Sequence, residues 1–317
     1  MTKAQTVVIT GASSGIGRAT ARTFAASGAK LVLAARNEAA LQIVADECVQ
    51  RGATAVLIVP TDVSVEEQVQ ALTAAAIDRF GRIDVWVGAA GAFSFGTFEL
   101  TPPEVFRQLI ETNLMGQIYG ARAVLPHFRR RRSGTLIFVG SLFSRVSAPY
   151  LSPYITSKFG LLGFAESLRQ ELRPERDIRV RVVLPATIDT AIYQHAANYT
   201  GRNVHPLPPL VAPERVARVI ARSVLRRRPV VVVGRAQAGG QVLHAIAPSA
   251  YDGVMRSLVK TIGMRGGGVE PTDGTVFAGT PDGPVTGGWR SPGLRTAVWG
   301  GMAAIAVMMV RSYRRVA

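Results

Sequence analysis

The sequence predicts an α/β fold, a doubly wound parallel sheet of about seven strands with a C-terminal extension. Three observations carry that expectation: short apolar runs, longer helical stretches between them, and a glycine-rich turn directly after the first run. The runs occupy residues 7–9, 31–34, 55–59, 83–87, 135–139, 180–184 and 230–233. Apolar runs this short suit strands covered on both faces. Helical patterns fill residues 38–51, 65–79, 104–128 and 154–172. Such alternation winds a parallel sheet through right-handed crossovers.

The turn reads Thr10-Gly11-Ala12-Ser13-Ser14-Gly15-Ile16-Gly17. Glycine reaches positive φ and lets backbone approach a ligand, and the helix that follows offers unpaired N–H groups to negative charge. The turn is expected to cradle the pyrophosphate of a dinucleotide.

Composition shifts near residue 262, which suggests a domain over 1–250 and an extension over 251–317. Residues 263–293 are rich in Gly, Pro and Thr and read as an irregular tail or linker. Residues 296–310 carry no charge and are flanked by Arg295, Arg311, Arg314 and Arg315. As a helix this stretch would reach about 22 Å, short of a hydrocarbon core of roughly 30 Å. Membrane contact through 296–310, docking on the body and packing against a second copy all stay open.

At 317 residues, 48% hydrophobic and 18% charged, the chain has enough apolar content for a sizeable core. Cys48 is the single cysteine, which excludes an internal disulfide and suits a cytoplasmic protein. The net charge of +16 comes almost wholly from arginine and should attract anions. The runs at 129–132 and 226–228 read as solvated charge near helix ends, and no nucleic-acid module is recognised. No signal peptide is expected, because the first strand begins almost at once after Met1-Thr2-Lys3. The scattered His127, His195, His205 and His244 show no metal-ligand spacing, so no metal is expected.

Tyr154 and Lys158 stand four apart, with Ser141 thirteen residues before the tyrosine. A carbonyl that accepts hydride gains negative charge on oxygen and needs a proton donor within hydrogen-bond reach. A phenol with a pKa near 10 is a poor donor at neutral pH. An ammonium one helical turn away shares its face and favours the phenolate.

These residues, with the glycine turn, resemble the classical short-chain dehydrogenases/reductases over roughly residues 4–235. The resemblance implies a Rossmann fold and an oxidoreductase with Asn113, Ser141, Tyr154 and Lys158 as its catalytic tetrad. It implies that Ser141 holds the substrate oxygen, that Lys158 also bonds the nicotinamide ribose, and that Asn113 helps carry a water chain. Thr10, Gly11, Ser13, Ser14, Gly15, Ile16 and Gly17 would meet the cofactor, with Tyr154 and Lys158. So would Asp62 and Val63 after the third strand, Ala90 and Gly91 after the fourth, and Pro185, Ile188 and Thr190 after the sixth. The family's NAD enzymes carry an acidic residue after the second strand, where this chain has Ala35 and Arg36. A guanidinium pairs with a 2′-phosphate, which implies NADP(H).

Two departures stand out: Gly88-Ala89-Ala90-Gly91 replaces the family's Asn-Asn-Ala-Gly, and Pro185-Ala186 replaces Pro-Gly. The first removes two side chains whose hydrogen bonds must be replaced. Apolar residues around Phe143, Tyr150 and the cover 191–212, including Ile192, Tyr193 and Tyr199, favour a small-molecule ketone, aldehyde or alcohol of hydrophobic character. A histidine of that cover, His195 or His205, could meet the substrate. The resemblance also implies a homo-oligomer, dimer or tetramer. The competing readings are a non-catalytic NADP(H)-binding module and a membrane-associated scaffold.

Overall fold

A computed structural model describes residues 4–226, 228–279 and 283–290. Its main sheet has seven strands: β1 (Thr6–Thr10), β2 (Lys30–Ala35), β3 (Ala55–Pro60), β4 (Val85–Gly88), β5 (Gly134–Val139), β6 (Ile178–Pro185) and β7 (Val230–Val233). Their order is β7-β6-β5-β4-β1-β2-β3, and every neighbouring pair is parallel. Strand order reverses between β1 and β4. The loops leaving these two strands part there, which opens a crevice at the carboxyl edge of the sheet.

Nine α-helices are present among the described residues: α1 (Gly15–Ala25), α2 (Glu38–Gln50), α3 (Glu66–Phe80), α4 (Pro103–Ile110), α5 (Gly116–Arg131), α6 (Ser152–Glu171), α7 (Pro213–Ser223), α8 (Arg235–Ile246) and α9 (Pro248–Leu258). On one face of the sheet α3, α5 and α6 bury Trp86, Phe128, Phe138 and Leu136. On the other, α1, α2 and α7 enclose Ile9, Leu33, Val44 and Ile220. Coverage on both faces is why the strands read as unbroken apolar runs. Cys48 is a packing residue of the second core, and burial pushes its thiol up to about 11.

The helix expected over 104–128 is interrupted. A single π turn, Glu111–Met115, separates α4 from α5. Such a turn inserts one residue into the helical ladder and often marks a functional position. The expected strand 83–87 starts only at Val85, because Ile83 gives its N–H to the His127 ring and Asp84 accepts from the Thr6 N–H. His127 is thereby a satisfied core residue. The first arginine run closes α5, with Arg129 on Glu175, Arg131 near Asp84 and Arg132 in the left-handed region. Residue 250, where the sequence reading divides the chain, lies within α9.

Beyond α9 the chain returns across the body. Met264–Arg265 pairs antiparallel with Asn203–Val204, and Thr272 bonds both ways with Asn198. Val276 is fully buried, and Val285 packs between Ala19 and Ala217. The tail is irregular, as its Gly and Pro content predicts, yet docked by hydrogen bonds and apolar contacts. Residues 296–310 lie outside the described residues. Among those described, no helix is long and apolar enough to cross a membrane, and no cluster of His, Cys, Asp and Glu could hold a metal ion.

Candidate active site

The glycine turn sits at the crevice between β1 and β4. Gly11 has φ +66°, and a Cβ there would lie 2.6 Å from the Ala90 backbone. Only glycine lets the two loops approach so closely. The Thr10 hydroxyl steadies the same contact by accepting from the Ala90 N–H at 3.4 Å. A groove runs from this turn, lined by Gly11, Ser13, Ser14, Gly15, Ile16 and Gly17. Arg36, Asp62, Val63, Ala90, Gly91 and Thr190 also line it. Thr10, Tyr154, Lys158, Pro185 and Ile188 are not among its lining residues. Pro185 ends β6 beside Val233, and Ile188 belongs to the core.

Tyr154 lies one layer behind the groove. Its ring packs edge-on against Phe93, a lining residue, with centroids 4.3 Å apart. Lys158, one turn further along α6, places its Nζ 5.6 Å from the Tyr154 ring centroid and donates to the Val139 carbonyl at 3.1 Å. Ser141 follows β5 and caps a short turn, its Oγ accepting from the Phe143 N–H at 3.1 Å. Asn113 sits in the π turn. Its Oδ1 accepts from the Ala92 N–H at 2.7 Å, and its Nδ2 donates to the Ala92 carbonyl and to Ser157 Oγ. These four residues come together from two helical elements, the π turn and α6, and one strand end.

The electrostatics differ from the sequence expectation in one respect. Burial pushes the Tyr154 phenol up to about 12, only partly offset by a hydrogen bond with Ser141. Burial also pushes the Lys158 ammonium down to about 8. Loss of water dominates in both cases, because a charged form is costly away from solvent.

Both departures from the family motif have local explanations. A Cβ on Gly88 would collide with Gln117 Oε1, so the glycine makes room for that side chain. Gln117 then donates to the Ala90 carbonyl at 3.1 Å, holding the loop from the helix side. Ala186 packs against the cluster of Leu142, Val146 and Tyr251, which accommodates its methyl. Sequence reasoning missed Gln117, and also Phe93, Phe95 and Val276, which share the Tyr154 cluster with Ile192, Tyr193 and Tyr199. His195 lines the groove, and His205 packs edge-on against Trp289 of the tail.

Sequence reasoning also missed what the tail does to the phosphate end. The Gly15 N–H donates to the Pro284 carbonyl at 2.9 Å. Arg36 donates to the carbonyls of Thr275 at 2.8 Å and Val276 at 3.1 Å, and to that of Ala278.

A sequence profile described as short chain dehydrogenase matches residues 5–199. The chain belongs to the short-chain dehydrogenase family. An uncharacterized oxidoreductase, YxnA, of Bacillus subtilis is 38% identical over 260 residues, covering 81% of this chain and 73% of the relative. An alcohol dehydrogenase from Thermococcus sibiricus, solved with 5-hydroxy-NADP, superposes with TM-score 0.64 at 28% identity over 73% of this chain and 95% of its own. A short-chain dehydrogenase/reductase from Burkholderia phymatum, solved with NAD, gives 0.70 at 25% over 79% and 96%. The protein is therefore an oxidoreductase of this type, acting on alcohol and carbonyl groups. The profile match ends before the tail.

Proposed function

We propose that the protein moves hydride between NADP(H) and a carbonyl or alcohol carbon of a hydrophobic substrate. One observation carries this reading: Ser141, Tyr154, Lys158 and Asn113 meet beside a groove whose glycine loop a single Cβ would block. When bound, the nicotinamide supplies the hydride, and the chain handles the proton. In reduction, the Tyr154 hydroxyl donates to the carbonyl oxygen. A phenol lifted to about 12 stays protonated across neutral pH but is a weaker acid than a free phenol, so its donation depends on stabilisation of the phenolate. The Lys158 ammonium, charged below about 8, stabilises the phenolate left behind. Ser141 bonds the substrate oxygen, and Asn113 ties Ala92 of the groove wall to Ser157, next to the lysine.

Arg36 supports NADP(H) over NAD(H). It lies at the exit of β2 on the groove, and a phosphate dianion is a stronger acceptor than the carbonyls it now holds. The apolar cluster around Tyr154 supports a hydrophobic substrate.

NADPH and NADH consumption with a panel of long-chain and small polar carbonyls tests this reading. Long-chain carbonyls with NADPH should turn over fastest, and Arg36→Gln should cut the NADPH preference at least ~10-fold. Preference for NADH, or faster turnover of small polar carbonyls, would contradict it. Binding without turnover across the panel would favour a non-catalytic binding module.

A further inference from the structure

The donors best placed for the anionic parts of a dinucleotide are already bonded to the chain's own tail. The Gly15 N–H at the start of α1 gives its proton to Pro284, where a pyrophosphate oxygen would sit. Arg36, the candidate 2′-phosphate partner, is held by three carbonyls between Thr275 and Ala278. Arg18, fixed by Glu47, donates Nη1 to the Gly283 carbonyl. Partial negative charge from tail carbonyls thus stands on Gly15, Arg18 and Arg36.

The fit is built from residues at both ends. Gly283 has φ +52°, and a Cβ there would be driven into the Ser13 carbonyl oxygen, so this approach requires glycine. Further along, the N–H groups of Gly287 and Trp289 donate to Asp189 Oδ1, and Trp289 Nε1 donates to the Thr190 carbonyl at 3.2 Å. Thr275 bonds His195, and Tyr199 bonds Asp273. Val276 enters the apolar cluster that closes over Tyr154.

We propose that tail residues 272–279 and 283–290 form an intramolecular competitor of the dinucleotide, so that cofactor binding requires the tail carbonyls to leave Gly15 and Arg36. This rests on the cofactor reading above. Because one segment covers both the phosphate donors and the tyrosine cluster, its release opens the groove and the catalytic phenol together. The competitor is part of the chain, so its effective concentration is fixed and its hold is tuned by the glycine and tryptophan contacts.

The test uses the full chain and two variants outside the catalytic and cofactor-binding set. Gly283→Val forbids the close approach at Ser13, and Trp289→Ala removes the anchor on Thr190 while leaving residue 283 alone. NADPH affinity is read by the cofactor's own fluorescence. Hydrogen exchange of the peptides spanning 272–279 and 283–290 is followed with and without NADPH. The expected result is a dissociation constant at least tenfold lower in both variants, and faster exchange of both peptides in the wild-type chain when NADPH is added. An unchanged or higher dissociation constant in the variants, or slower exchange on adding NADPH, overturns the competitor while leaving the cofactor reading intact. If the wild-type chain and both variants bind neither NADPH nor NADH, the cofactor reading falls and the competitor with it.

Discussion

The groove and the layer behind it are finished in opposite ways. Around the glycine turn and Arg36 the donors are already satisfied: Gly15 by Pro284, Arg36 by three carbonyls, and Arg18 by Glu47 and Gly283. Behind the groove, Tyr154 and Lys158 are buried, and burial pushes both toward their neutral forms. A satisfied site is stable without ligand, and a ligand must exchange bonds to enter it. An under-satisfied site costs folding energy and holds its groups ready for a charge that develops only during reaction. The candidate site therefore combines a groove whose donors the chain itself engages and, behind it, a buried pair whose charged forms burial disfavours.

The sharpest way to break that contrast is Lys158→Met. Turnover should fall by ~10²–10⁴-fold if the ammonium supports proton transfer. Stability should hold or rise, because a buried cation that is poorly compensated is removed. The sign follows from the depressed pKa. Folded Lys158 releases its proton near 8, against 10.5 for the free side chain, so its cost is fully present below pH 8 and fades as pH rises to 10.5. Thermal melts between pH 7 and 10.5 should show the wild-type chain gaining on the variant. A variant that is less stable at pH 7 would mean that the lysine is well compensated after all. For the same reason, wild-type carbonyl reduction should decline as pH passes 8, where the ammonium is lost.

The satisfied end predicts a smaller effect. Burial alone would raise the Glu47 carboxyl, but hydrogen bonds from Arg22 and Arg18 outweigh it and hold the group at about 2. Stability from this group is present above its ordinary 4.5 and is lost as pH falls toward 2. Glu47→Gln should lower the melting temperature by only a few degrees at pH 7, measured calorimetrically, with the gap closing in acid. A gap that persists at pH 2 would assign the loss to packing rather than charge.

Much of this was legible in the chain and some was not, for identifiable reasons. Strands buried on both faces have no alternation to blur them, so all seven apolar runs correspond to strands of the sheet. Ser141, Tyr154 and Lys158 stood out as side-chain types at a spacing, whereas Asn113 was named only through the family resemblance; the structure places the four side chains near one another. The π turn was hidden, because Glu104 to Phe128 keeps a helical pattern and one inserted residue leaves no compositional trace. Gln117 was hidden as well: its role appears only once Gly88 is seen to lack a side chain beneath it. The tail was read as irregular, which it is. Its bonds to Gly15, Arg18 and Arg36 are made by backbone carbonyls of Thr275, Val276, Ala278, Gly283 and Pro284, which no side-chain pattern announces.

Tyr154→Phe removes one oxygen from a ring otherwise held by Phe93 and its apolar neighbours, which makes it the most direct probe of the proton donor. Hydride transfer from NADPH to the best carbonyl of the panel, measured in a single turnover, should fall by at least ~10²-fold, while the NADPH dissociation constant stays within about twofold. Transfer at the wild-type rate with the hydroxyl gone would contradict the account.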